Sequence, residues 1–110
     1  MPGKFEVYKD KAGEYRFRLK AANGQNILTS EGYGKKTSCM NGVESVKKNS
    51  QNPDRIVKKT TPSGKYRFNI IASNGQVVGA SQNYDSESGC RSGMKSVAEC
   101  APGASVDDQT

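Results

Sequence analysis

Gly13-Glu14-Tyr15-Arg16-Phe17-Arg18-Leu19-Lys20-Ala21-Ala22-Asn23-Gly24 is followed, 51 residues later, by Gly64-Lys65-Tyr66-Arg67-Phe68-Asn69-Ile70-Ile71-Ala72-Ser73-Asn74-Gly75. The offset holds without a gap to Val46/Val97, through Gln25/Gln76, Ser30/Ser81, Tyr33/Tyr84, Cys39/Cys90, Gly42/Gly93 and Ser45/Ser96. The chain is one segment written twice. Each copy must make the same strands and the same helix, so the duplication fixes architecture before it says anything of activity.

Within the segment Tyr15, Phe17, Leu19 and Ala21 alternate with Arg16, Arg18 and Lys20. Period-two patterning of this kind predicts a half-buried antiparallel strand. The second copy places Tyr66, Phe68, Ile70 and Ala72 inward, with Ile71 replacing Lys20. Asn23-Gly24 and Asn74-Gly75 read as type I′ hairpin turns, which need positive φ at both central residues. In the returning strand Gln25–Ser30 the inward face is ambiguous, because Ile27 and Leu28 are both apolar. Upstream, Phe5 and Val7 lie on one face of a short strand that Asp10-Lys11-Ala12-Gly13 turns back.

A helix follows in each copy. Cys39, Val43 and Val46 stand at i, i+4 and i+7, and Cys90, Met94, Val97 and Ala101 repeat the stripe. Asp85 is the expected N-cap of the second helix, while the first has only Gly34. Beside each stripe runs a strip of small residues: Ser38, Gly42 and Ser45, echoed by Gly89, Gly93 and Ser96. A mid-helix glycine costs roughly 1 kcal/mol against alanine, so its recurrence points to a close backbone approach. The reading drawn here is that the two helices pack on each other along this strip about a pseudo-twofold axis. Asp54–Lys59 makes another strand, since Ile56 lies 51 residues after Phe5, and Ala104–Asp108 makes a weaker closing one. The unit is three strands, a helix and a closing strand, used twice: residues 1–110 form a single domain of repeats 4–53 and 54–110.

These residues resemble the YegP-like family, small bacterial proteins built from a duplicated domain of unknown function. The likeness rests on Gly13-x-Tyr15-Arg16-Phe17, Lys20-Ala21-x-Asn23-Gly24, Ile27-Leu28-x-Ser30-Glu31-x-Tyr33 and Gly42-x-x-Ser45-Val46. Gly64-Lys65-x-x-Phe68, Ala72-x-Asn74-x-Gln76, Gly79-x-Ser81-Gln82-x-Tyr84 and Ser96-Val97 repeat it. The resemblance implies an α+β fold: a single antiparallel sheet made jointly by two β3-α-β units, each lending its closing strand to the other, with two helices on one face. It implies no activity. Cys39 and Cys90 stand where a small residue such as alanine is expected, which affects local packing alone.

Size and composition agree with one shared core. The chain has 110 residues with 33% hydrophobic content and a mean hydropathy of −0.81. A 51-residue copy alone would be marginal, because small chains bury too little surface. The net charge of +6 is uneven: residues 1–52 carry +5 and residues 53–110 carry +1. Geometrically alike copies would therefore leave one half of the surface much more positive, a feature that steers polyanions. No signal peptide or membrane span is read from the sequence, and three cysteines make an odd count, so the expected location is the cytoplasm.

Histidine is absent, which excludes Cys–His and Ser–His–Asp catalysis and removes the main nitrogen ligand of zinc. Acidic residues lose their charge in the second copy: Glu14 maps to Lys65, Glu31 to Gln82, Glu44 to Lys95 and Asp10 to Thr61. No mirrored carboxylate site, phosphate-cradling loop, cofactor or metal is expected, and no enzyme. Cys39 and Cys90 read as structural. Cys100, rotated about 280° from Cys90 around the helix, is expected to be partly exposed and is the one redox candidate. Tyr33 and Tyr84 read as packing residues rather than ligand-stacking ones, and Ser30 and Ser81 as bonded to local backbone. The outward face Arg16, Arg18, Lys20 and Arg67 is the candidate polyanion contact; its aromatic neighbours point inward, with Tyr8 alone facing out. The first reading is a non-enzymatic interaction or structural module, with a protein partner or self-association. The second is weak, nonspecific nucleic-acid binding, and the third a thiol sensor.

Overall fold

The computed structural model describes residues 3–110. The first repeat forms strands β1 (Lys4–Lys9), β2 (Tyr15–Lys20) and β3 (Asn26–Thr29) and helix α1 (Lys36–Asn49). A 3₁₀ turn, Pro53–Arg55, leads into β4 (Ile56–Thr60), β5 (Tyr66–Ile71), β6 (Val77–Ala80), helix α2 (Glu87–Cys100) and β7 (Ser105–Asp108). The strands make one sheet in the order β4-β5-β6-β3-β2-β1-β7. Phe5, Val7, Phe17, Leu19, Phe68 and Ile70 join Cys39, Val43, Val46, Cys90 and Val97 of the helices in one buried cluster. The α+β fold, with both helices on one face of a jointly built sheet, is as the sequence implies.

The four hairpin turns share one geometry. Gly13, Gly24, Gly64 and Gly75 have φ between 81° and 84°, and among the described residues no other residue type has positive φ. The amide of Gly24 donates to the carbonyl of Ala21 (2.9 Å), and that of Ala21 to the carbonyl of Gln25 (2.9 Å). This is a type I turn followed by a left-handed glycine, not the type I′ turn expected. The asparagine side chains steady it: Asn23 Oδ1 accepts from the amide of Gln25 and Asn74 Oδ1 from that of Gln76, each at 3.0 Å. A register shift between Leu19 and Lys20 lets both Ile27 and Leu28 bury, which resolves their ambiguity.

The repeats meet where β3 pairs with β6, through Thr29 and Ala80. These two are each other's repeat equivalents, so the pseudo-twofold axis passes between them. Leu28 and Gly79, the next equivalent pair, are not alike: a Cβ on Gly79 would stand 2.8 Å from Leu28 Cδ2. One leucine fills the place that two cannot.

Each helix carries the chain to the far edge of the other half. The repeat equivalent of β7 is the segment at the start of β4, which lies against β5. Symmetry would set β7 against β2, but β1 already occupies that place in antiparallel register. So β7 takes the next place out and runs parallel to β1, Val106 beside Phe5 and Asp108 beside Val7. Among the described residues this is the one parallel pairing in an otherwise antiparallel sheet. The crossing also redistributes charge. Asp107 lies 3.8 Å from Lys4 Nζ, and Asp108 pairs with Lys36. Counting both aspartates with the half they pack on takes that half from +5 to +3 and the other from +1 to +3. The expected polar asymmetry is cancelled.

Three local expectations are corrected. The glycine strips do not bring the helices together; a Cβ on Gly42 would meet the Tyr33 hydroxyl at 2.6 Å and Phe17 at 2.9 Å, and Gly93 faces Tyr84 and Phe68 in the same way. The close neighbour is a tyrosine folded back from the strand-to-helix loop, its ring stacked on the phenylalanine at 6.4 Å in one copy and 6.3 Å in the other. The N-cap of α2 is Ser86, whose Oγ accepts from the amide of Gly89 at 3.1 Å, because Asp85 is drawn to Lys65; α1 starts after Lys35 with no side-chain cap. Cys100 is 7% exposed, with Gly3 lying over it.

Candidate interaction surface

The face of the sheet opposite the helices is built by the alternate residues of each strand. Lys4 opposes Lys20, Glu6 opposes Arg18 and Tyr8 opposes Arg16 across β1 and β2. Val57 opposes Asn69 and Lys59 opposes Arg67 across β4 and β5. Thr29 and Ala80 lie between the two sets. The structure thus puts Arg16, Arg18, Lys20 and Arg67 on one face, but β3 and β6 separate the first three from the fourth.

Glu6 organises the first set. Its side chain is only 7% exposed, accepts from Arg18 Nε at 2.6 Å, and has Lys20 Nζ at 3.3 Å and Lys4 Nζ at 3.5 Å. Gln109 Nε2 donates to its second oxygen at 3.3 Å. The Arg18 hydrogen bond, helped by Lys20, outweighs desolvation and holds the carboxyl down at about 2. Arg18 also lies over the Tyr8 ring, 4.5 Å from its centroid, which occupies the one outward aromatic of the face. Arg16 donates from Nε to Asp10 Oδ2 at 2.6 Å and from a terminal nitrogen to the Ser30 carbonyl at 3.2 Å. Asp10 is held below the usual carboxylate range first by Arg16 and then by the turn amides of Glu14 and Ala12.

The second set is different. Arg67 and Lys59 are exposed, and no described residue pairs with either. Asn69, at the repeat position of Arg18, is 6% exposed and its Oδ1 meets no partner. The pairing of Arg16 and Arg18 with carboxylates is the feature that sequence reading missed. Its signal lay in the hairpin: a turn at Asp10–Gly13 sets Glu6 opposite Arg18.

The remaining candidates are structural. Tyr33 and Tyr84 are half-buried, each stacked on a phenylalanine, and desolvation raises both phenols. Ser30 Oγ accepts from the amide of Phe17 at 2.9 Å and donates to the carbonyl of Glu31 at 2.8 Å; Ser81 does the same with Phe68 and Gln82. These bonds join neighbouring strands as well as local backbone. Cys39 and Cys90 are fully buried, and burial pushes their thiols up. None of the three cysteines is in a disulfide. Among the described residues no group of three or more His, Cys, Asp or Glu could hold a metal ion, and no helix is long and apolar enough to cross a membrane. A polar cleft of about 480 Å³ opens beside the C-terminal half of α1, lined by Asn41, Ser45, Lys48, Asn49 and Arg55.

The model of a domain of unknown function, DUF1508, matches residues 10–56 and again residues 62–108. A UPF0339 protein from the ptx operon 5′ region of Stutzerimonas stutzeri is 56% identical over 96% of both chains. The UPF0339 protein YegP of Escherichia coli K12 is 43% identical over the whole of both. The solution NMR structure of E. coli yegP, a protein of unknown function, superposes with a TM-score of 0.95, covering 100% of this chain and 95% of that one. A UPF0339 protein of Shewanella oneidensis, also solved by NMR, gives 0.93 at 41% identity, covering 98% and 92%.

Proposed function

The chain belongs to the DUF1508 family, as two tandem copies of its domain, and from that membership we propose that it is a non-enzymatic interaction module of the bacterial cytoplasm. The observation that carries this reading is the internal pairing of the outer face. Its densest cations are already spent on Glu6 and Asp10, so a phosphate must compete with a carboxylate nine-tenths buried among them. Arg67 and Lys59 remain. Two phosphate contacts give a salt slope of only about −2 on duplex DNA, too weak for a working nucleic-acid site. Cys100, the residue of the sensor reading, is only 7% exposed, and reactive thiols are accessible ones, which speaks against that reading. Cysteines outside any disulfide suit a reducing compartment.

The test is retention on heparin and binding of a labelled oligonucleotide at low and moderate salt, for the native chain and for Arg16→Glu/Arg67→Glu. The expected outcome is no oligonucleotide binding at moderate salt for either. Binding that is steep in salt and lost in the double variant would replace this reading with the polyanion one.

A further inference from the structure

The sheet ends in β4 at one edge and β7 at the other, and among the described residues β1 has gained an outer neighbour while its repeat equivalent β4 has not. At the first edge, β7 lies parallel along β1 and brings Val106 beside Phe5, Asp107 near Lys4 and Asp108 onto Lys36. The pseudo-twofold axis carries β1 onto β4, so it defines a second parallel berth along the outer edge of β4. No described strand fills it. β4 therefore presents a row of backbone donors and acceptors with no sheet partner, the kind of edge to which an extended segment adds as a further strand.

The side chains along that edge select the occupant. The repeat offset sets Arg55, Ile56, Val57 and Lys58 where the first edge has Lys4, Phe5, Glu6 and Val7. Ile56 is half-buried and stands where Phe5 stands beside Val106 in the first edge. Lys58 turns to the helix side and is held by Glu87 of α2 at 2.7 Å, while Lys59, on the outer face, is exposed with no described partner, and the glutamate of the first edge is gone. An unpaired lysine on an edge strand disfavours pairing with a second copy of the same edge. It attracts a strand whose charge is opposite.

We propose that the outer edge of β4 is a docking site for an extended acidic segment of a partner protein, added parallel to β4 with an apolar residue beside Ile56 and an acidic residue beside Val57, on the outer face between Arg55 and Lys59. The chain's own Ser105-Val106-Asp107-Asp108 is the template for that occupant. This proposal rests on the interaction-module reading and names the surface and the partner's chemistry.

The probe is a synthetic peptide of the sequence of residues 104–110, titrated to millimolar concentration into the full chain and followed by backbone amide shifts. The same peptide with both aspartates changed to lysine is the control. The expected result is saturable shifts in residues 56–60, slowed amide exchange in β4, no response to the lysine peptide, and about fivefold or more weaker binding in Lys59→Glu. No described residue pairs with Lys59, so this variant keeps its fold. Absence of shifts in β4, shifts confined to β1 where the peptide displaces β7, equal binding by Lys59→Glu, or a concentration-dependent dimer through β4 would each overturn it. A labelled oligonucleotide run in parallel separates the two levels: with no binding of either probe the edge proposal alone falls, whereas oligonucleotide binding abolished by Lys59→Glu or Arg67→Glu removes the module reading as well.

Discussion

The unequal pair at the centre of the sheet offers a sharp test of the pseudo-twofold packing. Leu28 is 1% exposed and lies over Gly79, its own repeat equivalent, close enough that even a methyl group there would stand 2.8 Å from Cδ2 and 3.0 Å from Cγ. Leu28→Gly opens a cavity. Leucine-to-alanine changes in cores cost about 2–5 kcal/mol, and the bare glycine in a strand adds about 0.5–1. Gly79→Leu overfills the same space, at about 1–3 kcal/mol. If the axis truly relates the two positions, the exchange Leu28→Gly/Gly79→Leu returns one leucine to one space from the other side. The double variant should then recover about 2 kcal/mol or more relative to the sum of the single changes, well outside the few tenths expected for independent sites. Urea unfolding at constant m-value measures it, and each kcal/mol corresponds to about 4–8 °C in Tm for a domain near this size. Additive losses would refute the argument, for they would mean that leucine at 79 does not enter the space leucine leaves at 28.

Glu6→Gln removes the charge that Arg18 and Lys20 share, and should cost about 1.5–3 kcal/mol while strengthening heparin retention. The same group sets an acid limb: its folded pKa of about 2 lies below the ordinary 4.5, so its contribution is complete above pH 4.5 and is lost as the pH falls from 4.5 towards 2. Urea midpoints over that range should decline in the native chain and decline less in Glu6→Gln. Gly42→Ala places a methyl 2.6 Å from the Tyr33 hydroxyl and should cost about 1–3 kcal/mol; adding Tyr33→Phe should restore part of it, an outcome that a helix–helix contact at this glycine would not give. Cys39 and Cys90 should resist iodoacetamide in the folded chain and react on addition of urea, read by intact mass; rapid native labelling would contradict their burial.

The strands were legible because Tyr15–Ala21 and Tyr66–Ala72 alternate on a period that only a half-buried sheet satisfies, and the offset required the two halves to match. The turn type was not, because Asn-Gly marks a glycine at positive φ without saying how many residues the loop holds. Gly42 and Gly93 announced a close approach correctly, yet what approaches them is a tyrosine nine residues upstream, brought there by the strand-to-helix loop. Local rules likewise nominated Asp85 as a cap, and Lys65, twenty residues away in sequence, took it. Of the candidate site, the basic residues were visible and their neutralisation was not, since Glu6 meets Arg18 only through hairpin register.

By itself the sequence determined a doubled α+β unit, because periodicity and repetition are properties of the chain's order. Tertiary structure alone decided which edge each closing strand joins, since a place in the sheet can be filled once and β1 had filled it. That single exclusion sends β7 outward in parallel, carries two aspartates to the basic half, evens the charge and leaves β4 open.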